Sequence, residues 1–313
     1  MFLLRRRRRD FAALAILFFL FVELFNIFSV LFLYLRLTQS IPETSNFLNI
    51  TLSQQKRTTD DVIPAVLHQT WKSHNLSDFP VPPSTSWWSD DLRYSNFTLK
   101  LWTDQDINQL IQHHFPHIYA HWLSLSPIQR ADLGRLAVLY QHGGFYADLD
   151  VYPAYPDTVN VYDYTLERWR YSGWSMVCLK SKDGLLMNHF IMSRQQHPLL
   201  ARALDMSVGR RCGWLWPRYL CVFWTTGPIL LAEAYLHEHE ASGTAAVLSF
   251  EAGDLFVNHG AGRSWHNWEA CVLTWLGEHA KALLAYIGTM MVVAAFITLR
   301  RWRENRITQS IPV

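Results

Sequence analysis

The sequence has 313 residues, and its formal net charge of +2 argues against broad nucleic-acid binding. Its length allows one or two domains with a sizeable core. The hydrophobic content of 50% and the 14 tryptophans are high for a small soluble enzyme, so they indicate membrane segments. Positive charge is concentrated at the two ends, in Arg5 to Arg9 and in four arginines after residue 299.

The first predicted element is an apolar segment between Phe11 and Leu35, long enough to cross a bilayer. Glu23 interrupts it, so this carboxyl must be protonated, paired or packed against protein. A cleaved signal peptide is the alternative, but its apolar core would be shorter and no clear cleavage site follows. We therefore interpret residues 1–37 as a cytosolic basic tip and an uncleaved transmembrane anchor.

A second apolar segment covers residues 282–299, near the lower length limit for a transmembrane helix. A buried amphipathic helix is the alternative, but residues 290–297 contain no polar side chain. The basic tail at residues 300–313 then predicts, by the positive-inside rule, that both termini are cytosolic and that the middle is lumenal. Three glycosylation sequons fall between the two segments and agree with this topology, at Asn49, Asn75 and Asn96.

Between the anchors we predict a stem at residues 38–60, a folded domain at 61–270 and a juxtamembrane segment at 271–281. Inside the domain, strands are predicted at Val62–His68, Phe97–Trp102 and Ser175–Leu179, and a helix at Leu185–Ser193.

The four cysteines would lie in an oxidising lumen and allow three full pairings. Cys212 with Cys221 is the nearest plausible bridge. The arginines and tryptophans between Gly209 and Trp224 suit an anionic lipid head group, a sugar or a bilayer interface. A loop that is part core and part surface, held by a disulfide, is an equally good interpretation of the same residues.

The most informative stretch runs from Arg130 to Pro153. Pro127 suits the first turn of a helix, and Gly143 with Gly144 suits its end. A short apolar strand, Phe145–Ala147, follows and leads into Asp148-Leu149-Asp150. Alternation along a strand puts both carboxylates on one side, where they could hold Mn²⁺ or Mg²⁺ with a substrate diphosphate.

The helix before this strand carries further charges. Asp132 and Arg135 are three residues apart and share one face, and Arg130 lies near the same end. Charges on a buried helix are costly unless they meet a ligand or each other. The combination of helix, glycine pair, strand and acidic dyad therefore predicts a ligand site rather than an acidic surface turn.

These motifs resemble the sugar-nucleotide-binding region of glycosyltransferase family 32. The resemblance rests on Arg130-x-Asp132-x-x-Arg135 and on Gly143-Gly144-x-Tyr146-x-Asp148-x-Asp150. It extends to His68-Gln69-Thr70-Trp71-Lys72 upstream. Downstream, Asn258-His259-Gly260 and Ser264-Trp265-His266 resemble the inositol-phosphoceramide mannosyltransferases of that family.

The resemblance implies an α/β fold of GT-A type, with a Rossmann-like nucleotide-sugar domain between an N-terminal and a C-terminal transmembrane helix. It implies catalytic roles for Asp132, Asp148 and Asp150. Metal ligands would come from Asp148 and Asp150, with His259 or His266 added by a late loop. The implied donor-binding residues are His68, Gln69, Arg130, Asp132, Arg135, Tyr146 and Trp265.

The implied reaction is metal-dependent and retaining, with Mn²⁺ (or Mg²⁺) as cofactor and GDP-mannose as donor. The expected partner is a membrane lipid acceptor, inositol phosphoceramide, in sphingolipid biosynthesis at the Golgi or ER–Golgi membrane. The resemblance also leaves room for a regulatory membrane subunit. A mannosyltransferase for N-glycans and a glycolipid galactosyltransferase are alternatives that keep the same chemistry.

Two alternatives come from other classes of protein. Asp148-Leu149-Asp150-Val151 also fits the nucleophile motif of haloacid-dehalogenase-like phosphatases, but no adjacent acidic pair follows Asp150 to complete their metal site. A membrane scaffold that kept the fold and lost turnover is the other. The intact acidic dyad argues against it.

Overall fold

The computed structural model describes residues 2–44, 62–91, 97–154, 170, 174–242, 245–254 and 256–260, with scattered positions between 272 and 300. The chain divides into two compact units, residues 1–265 and 266–313. The helices and strands named below and the candidate site all lie in the first unit. The sequons Asn49 and Asn96 lie outside the described residues, whereas Asn75 is exposed.

A six-stranded mixed sheet forms the centre of the fold, and this confirms the predicted α/β class. Its strand order is β2-β1-β3-β6-β5-β7. In chain order these strands are β1 (Val66–Trp71), β2 (Thr98–Thr103), β3 (Gly144–Ala147), β5 (Met176–Lys180), β6 (Leu186–Ser193) and β7 (Ala245–Leu248). A separate two-stranded sheet pairs β4 (Val151–Pro153) with β8 (Val257–His259).

Parallel pairing brings the functional parts of the chain together. Strand β1 lies between β2 and β3 and runs parallel to both, with His68 opposite Tyr146. Strand β6 is antiparallel to β3 on one side and to β5 on the other. The carboxyl ends of β1 and β3 therefore meet at one edge of the sheet, where ligands collect in open α/β folds.

Helices surround this sheet and are numbered here in chain order. They are α1 (Phe2–Ser40), α2 (Thr85–Asp91), α3 (Asp104–His114), α4 (Pro116–Ser124), α5 (Pro127–His142), α6 (Pro198–Val208), α7 (Arg218–Thr225), α8 (Pro228–Ser242) and α9 (Phe250–Asp254). Helix α5 is the longest described one in the folded domain and leads directly into β3.

The two ends of α5 follow from local chemistry. At its start, the backbone N–H of Ser126 donates to Gln129 Oε1 over 3.0 Å, which is half of a capping box, and Pro127 occupies the first turn. At its end, Gly143 has a φ of +62°, and a Cβ there would lie 2.7 Å from the backbone nitrogen of Gln195. Only glycine fits this position, so the predicted helix stop is confirmed.

The prediction of a helix at Leu185–Ser193 was wrong. These residues form β6, which lies between β3 and β5 in the sheet. The segment has a run of apolar residues at its end, Phe190 to Met192, which is compatible with either structure. Neighbouring strands on both sides satisfy its backbone groups, and this tertiary pairing decides the outcome.

Helix α1 contains the predicted anchor. Ala15–Ser40 is long and apolar enough to cross a membrane, and only 11% of its most apolar window is buried in the fold. Arg218–Glu238 passes the same test, but 72% of its window is buried, which is typical of core helices. No span over residues 282–299 is found among the described positions, so the second transmembrane helix stays a prediction.

The disulfide Cys212–Cys221 is present, with Cα atoms 5.7 Å apart. It closes the loop between α6 and α7, as the sequence spacing suggested. Cys178 is a buried free thiol on β5, and Cys271 lies outside the described residues.

Candidate active site

The acidic dyad lies in the tight turn between β3 and β4. The backbone N–H of Val151 donates to the carbonyl of Asp148 over 3.0 Å, which closes this turn. Leu149 is buried in the core, whereas the side chains of Asp148 and Asp150 keep 26% and 13% of their surface exposed. Leu149 therefore fixes the turn to the core, and the carboxylates on either side of it remain partly accessible to solvent.

Asp148 is already engaged by two side chains. The Tyr146 hydroxyl donates to its Oδ1 over 2.7 Å, and Arg135 Nη1 lies 3.2 Å from both carboxylate oxygens. The Tyr146 hydroxyl also lies 2.9 Å from Thr70 Oγ1 at the end of β1. These contacts hold the Asp148 carboxylate in one orientation at the carboxyl end of the sheet.

Arg135 connects the dyad to Asp132. Its guanidinium is buried, its Nη1 donates to the carbonyl of Asn188 over 3.0 Å, and its Nη2 lies 3.3 Å from Asp132 Oδ1. Burial lowers the pKa of Arg135, but the charges of Asp148, Tyr146 and Asp132 raise it more, so the net shift is upward. The guanidinium is therefore a fixed cation between two acids.

Asp132 is held from three directions. Besides Arg135, Asn188 Nδ2 donates to its Oδ1 over 2.9 Å and Thr226 Oγ1 donates to its Oδ2 over 3.3 Å. Burial raises the pKa of Asp132 to about 6, although Arg135 acts in the opposite direction. A carboxylate fixed in this way offers a defined acceptor to hydroxyl groups.

Two of these partners were missed at the level of the sequence. Asn188 lies on β6, in the segment predicted to be helical, so nothing indicated that it faces α5. Thr226 lies two residues before the start of α8, and nothing in the sequence around it indicates a contact with Asp132. Both come from parts of the chain far from Asp132, at 56 and 94 residues' separation, where sequence spacing carries no information about contact.

Asp150 faces a different partner, His259. Antiparallel pairing of β4 with β8 places His259 opposite Val151, and its Nε2 lies 3.6 Å from Asp150 Oδ2. Burial raises the pKa of Asp150, and the nearby charge of Asp148 raises it further. The predicted approach of the late His259 segment to the dyad is therefore present in the structure.

His189 is a further residue that the sequence did not reveal. Its ring stacks on the His259 ring, with centroids 4.6 Å apart and planes 21° from parallel. Burial lowers its pKa to about 3, so His189 is a neutral imidazole. Its backbone carbonyl accepts from the N–H of Asp148 over 2.9 Å, which ties β6 to the dyad turn.

The donor atoms at this site suit a hard cation in chemical type. Two carboxylates are ligands that Mn²⁺ and Mg²⁺ accept, and His259 adds an imidazole. Over the described part of the chain, however, no three acidic, histidine or cysteine side chains are gathered closely enough to form a metal site. The other predicted ligand, His266, and the predicted donor contact Trp265 lie outside the described residues.

His68 is buried with both ring nitrogens occupied. Trp102 Nε1 donates to its Nδ1 over 3.0 Å, and its Nε2 lies 3.0 Å from the carbonyl of Gly143. Burial lowers the pKa of His68 to about 4, so the neutral ring donates from Nε2 to that carbonyl. These contacts fasten β1 to the end of α5, and a donor-binding role for His68 stays a prediction.

Gln69 supports the dyad turn through Ser84. Its Nε2 donates to Ser84 Oγ over 2.9 Å, and the backbone N–H of Ser84 donates to the carbonyl of Leu149 over 2.7 Å. Gln69 Oε1 is buried and has no hydrogen-bond partner among the described residues. This oxygen is free to accept a hydrogen bond from a ligand.

In this structure Arg130 donates hydrogen bonds to the carboxyl end of helix α4. Its Nε and Nη2 donate to the carbonyls of Trp122 and Leu123, over 3.2 and 2.8 Å. A cationic side chain at the carboxyl end of α4 satisfies carbonyl groups that the helix leaves free. Its predicted contact with the donor stays a prediction.

Comparison with known proteins agrees with this arrangement. Residues 66–165 match the model of the family described as "Glycosyltransferase sugar-binding region containing DXD motif". The chain is 25% identical over 251 residues to "Inositol phosphoceramide mannosyltransferase 1" of Schizosaccharomyces pombe, covering 76% of this chain and 73% of that protein. It is 28% identical to "Inositol phosphoceramide mannosyltransferase 3" of the same organism, over 75% of this chain and 65% of that protein.

Among solved structures, "PaToxG Glycosyltransferase" matches with a TM-score of 0.38 and 14% identity, over 56% of this chain and 69% of that one. A TM-score this low adds nothing to the argument. The matched region, residues 66–165, contains Asp132, Arg135, Tyr146 and the acidic dyad. The resemblance drawn from these residues is therefore confirmed: residues 66–165 are similar to a glycosyltransferase sugar-binding region with a DXD motif.

Proposed function

We propose that this chain is a membrane-anchored glycosyltransferase of GT-A type that moves mannose from GDP-mannose to inositol phosphoceramide. The observation that carries the proposal is the buried pair of Asp132 and Arg135, which is joined to Asp148 and lies next to Asp150 in the same partly exposed turn. The two relatives named above support the sugar and the acceptor, since both are named as mannosyltransferases of inositol phosphoceramide.

The network separates two tasks. Asp132, fixed by Asn188 and Thr226, would accept hydrogen bonds from donor-sugar hydroxyls. Arg135 holds the carboxylates of Asp132 and Asp148 in fixed orientations, so the site needs little reorganisation when the donor binds. The Tyr146 hydroxyl holds the Asp148 carboxylate through a further hydrogen bond.

The acidic dyad would bind the diphosphate part of the donor through a metal ion. Asp150 and Asp148 would hold Mn²⁺ or Mg²⁺, with His259 or His266 as a further ligand. When bound, such an ion neutralises the departing diphosphate and acts as a Lewis acid. None of the carboxylates described here has the geometry that would assign it as a nucleophile, so retention of configuration rests on the family resemblance.

The membrane anchor fits a lipid acceptor. Helix α1 would hold the domain at the lumenal face of a Golgi or ER–Golgi membrane, with the basic N-terminal tip in the cytosol. The C-terminal span and a regulatory membrane subunit belong to the same proposal. Protease treatment of sealed microsomes should remove tags from both ends, whereas a protected C-terminal tag would show that residues 282–299 do not cross.

The activity is tested on membranes that contain the full chain. We would supply radiolabelled GDP-mannose or UDP-galactose with inositol phosphoceramide, extract the lipids and identify the labelled product by mass spectrometry. Membranes with Asp150→Ala provide the matched background. Labelled mannosyl inositol phosphoceramide from GDP-mannose alone would support the proposal.

Other products would contradict the proposal in a specific way. Label in a galactosylated glycolipid would establish a different donor, and label in protein N-glycans would establish a different acceptor. Absence of transfer with every donor, from a chain that is folded and membrane-bound, would favour the scaffold interpretation.

A further inference from the structure

One face of α1 packs against the catalytic domain, and this contact extends from the lumenal end of the helix back into its apolar segment. Buried or partly buried side chains recur along α1 at helical spacing, whereas the side chains from Ala15 to Val22 are all exposed. The packed positions are Glu23, Ile27, Val30, Tyr34 and Leu37.

At the lumenal end of α1, the domain contacts the helix through the turn between β5 and β6. Tyr34 bonds to Asp183, and a Cβ on Gly184 would lie 3.4 Å from the carbonyl carbon of Thr38. Just beyond the helix, Lys180 Nζ donates to the carbonyl of Ile41 over 3.0 Å. This level of contact is expected for a domain that sits on a membrane surface.

A second contact lies much deeper along the same helix. A Cβ on Gly213 would be 2.6 Å from Glu23 Cδ, so the backbone of the loop between α6 and α7 lies directly on this carboxyl group. Glu23 is 7% exposed, and its Oε2 has no hydrogen-bond partner among the described residues. The loop thus covers the one acidic side chain within the apolar part of α1.

The distance along α1 places this contact inside the bilayer. Glu23 is twelve residues before Leu35, where the apolar segment ends, which corresponds to about 18 Å of helix at a rise of 1.5 Å per residue. The apolar segment exceeds the hydrocarbon thickness by several residues, and half of that thickness is about 15 Å. When these extra residues extend into the lumenal head-group region, Glu23 lies less than about 15 Å deep, and a loop at its level is within the lumenal leaflet.

The loop, residues 209–217, has the surface that such a position requires. Trp214 is 85% exposed and Leu215 is 39% exposed. Arg211 and Arg218 are also exposed. Apolar side chains projecting next to a transmembrane helix, with cations nearby, are typical of a membrane-interface element. The bridge from Cys212 to Cys221 ties this loop to α7.

We propose that the loop at residues 209–217 inserts into the lumenal leaflet beside α1, with Trp214 and Leu215 in contact with lipid. This inference rests on the proposed membrane anchor and extends it to the catalytic domain. Helix α7, eight residues or about 12 Å long, connects the loop to Thr226, which donates to Asp132. A lipid acceptor could therefore approach the sugar site while its chains stay in the leaflet.

The test is photo-cross-linking of the full chain in nanodiscs made of phosphatidylcholine and phosphatidylserine. A benzophenone amino acid replaces Trp214, and adducts are identified by mass spectrometry. The positive control carries the probe at Phe25, on the exposed face of α1. The negative control carries it at Lys100, an exposed position on β2, at the opposite edge of the sheet from β5 and β7, and the expected absence of adducts applies to this position.

We expect lipid adducts at positions 214 and 25 and none at position 100. Lipid adducts at 25 without any at 214 would overturn the loop proposal and leave the anchor intact. Absence of adducts at 25 would overturn the anchor itself. A protein adduct at 214 in native membranes, in place of lipid, would show that the loop binds a partner subunit and would also overturn the proposal.

A functional readout separates lipid contact from a structural role. In Trp214→Ser/Leu215→Ser, the KM for the lipid acceptor should rise several-fold, while GDP binding and melting temperature stay at the wild-type values. Equal KM values in the variant and the wild type would contradict a role for the loop in acceptor access.

Discussion

The two halves of the candidate site are built in different ways. Asp132 and Arg135 lie on a long capped helix, are buried, and find their partners within the fold. Asp150 lies in the turn just before β4, and His259 ends the paired strand β8 and keeps 43% of its side chain exposed. The first half is complete without a ligand, whereas the second leaves donor atoms directed at solvent.

This difference assigns a task to each half. A buried and fully paired network can recognise a neutral sugar through fixed acceptors, because its geometry is set before binding. A partly exposed pair of donors suits an ion that enters with its diphosphate and leaves again with the product. The contrast predicts that substitutions in the first half affect stability or sugar recognition, and that those in the second affect metal binding.

The largest effect is expected for Asp150→Ala. Removal of this carboxylate should reduce transfer on the order of a hundredfold or more, because the diphosphate loses its counter-ion. Its melting temperature should stay near the wild-type value, since the partner of the Asp150 side chain in the described part of the chain is the exposed His259. Asp205→Ala, at an exposed carboxylate on α6, is the control. Full transfer by Asp150→Ala, or by the wild type in chelator, would remove the metal from the mechanism.

Arg135→Met should chiefly affect folding. It leaves Asp132 and Asp148 without their shared cation, and breaking a buried ion pair destabilises proteins by about 3–5 kcal/mol. Denaturant unfolding of the detergent-solubilised protein measures this free energy. Arg202→Met, which removes a surface pair with Glu238, should change it far less. Comparable losses in the two variants would show that the network is not fully paired in solution.

Asp132→Asn should separate sugar recognition from folding. Charged hydrogen bonds contribute roughly 1.5–3 kcal/mol, so transfer should fall on the order of tenfold to a hundredfold, whereas GDP affinity should change much less. Burial raises the pKa of Asp132 to about 6, so the charged carboxylate that is present above that pH lowers the stability of the folded protein. The variant should therefore melt no lower than the wild type at pH 7. Parallel losses of GDP binding, turnover and melting temperature would instead indicate a structural role.

The same group predicts a pH dependence. The folded-state pKa lies above the ordinary value of 3.8, so the native state binds this proton more tightly and Asp132 reduces stability as pH rises from about 4 to 6. Transfer should show the opposite trend and fall as pH drops below about 6, because the protonated carboxyl is a weaker acceptor. Rate profiles of wild type and Asp132→Asn should differ in this range; identical profiles would assign the titration to another group.

The smallest effect is expected for His259→Ala. If His259 is one ligand among several, its loss should weaken Mn²⁺ binding by about tenfold, the scale of single contributions around metal sites. Electron paramagnetic resonance titration measures this affinity independently of turnover. His237→Ala, an exposed histidine on α8, is the control. Unchanged affinity in His259→Ala would leave His266 as the predicted imidazole ligand.

Local sequence was sufficient wherever the structure depends on neighbouring residues. The stop of α5 at Gly143 and the apolar strand that follows were predicted correctly, whereas Asp148-Leu149-Asp150 forms a turn and does not continue the strand as the alternation argument assumed. Each follows from backbone freedom, helical spacing or alternation within a few residues. The shared face of Asp132 and Arg135 was predicted on the same basis, and their ion pair is present.

The sequence failed where pairing in the sheet decides the conformation. The sequence predicted a helix at Leu185–Ser193, so it gave no correct position for the side chains of Asn188 and His189. Their strand is set by β3 and β5, which are hydrogen-bonded to it on both sides. The loop at residues 209–217 was left open between a lipid-binding and a structural interpretation. Its contact with Glu23 joins positions 190 residues apart.

By itself, therefore, the sequence determined the apolar N-terminal helix, the acidic dyad and the helix that carries Asp132 and Arg135, because hydropathy, spacing and glycine stops act over short distances. Only the tertiary structure decided which side chains complete the site. Asn188, Thr226 and His189 reach it through strand pairing and helix packing, and both depend on long-range burial and hydrogen bonding that no local pattern records.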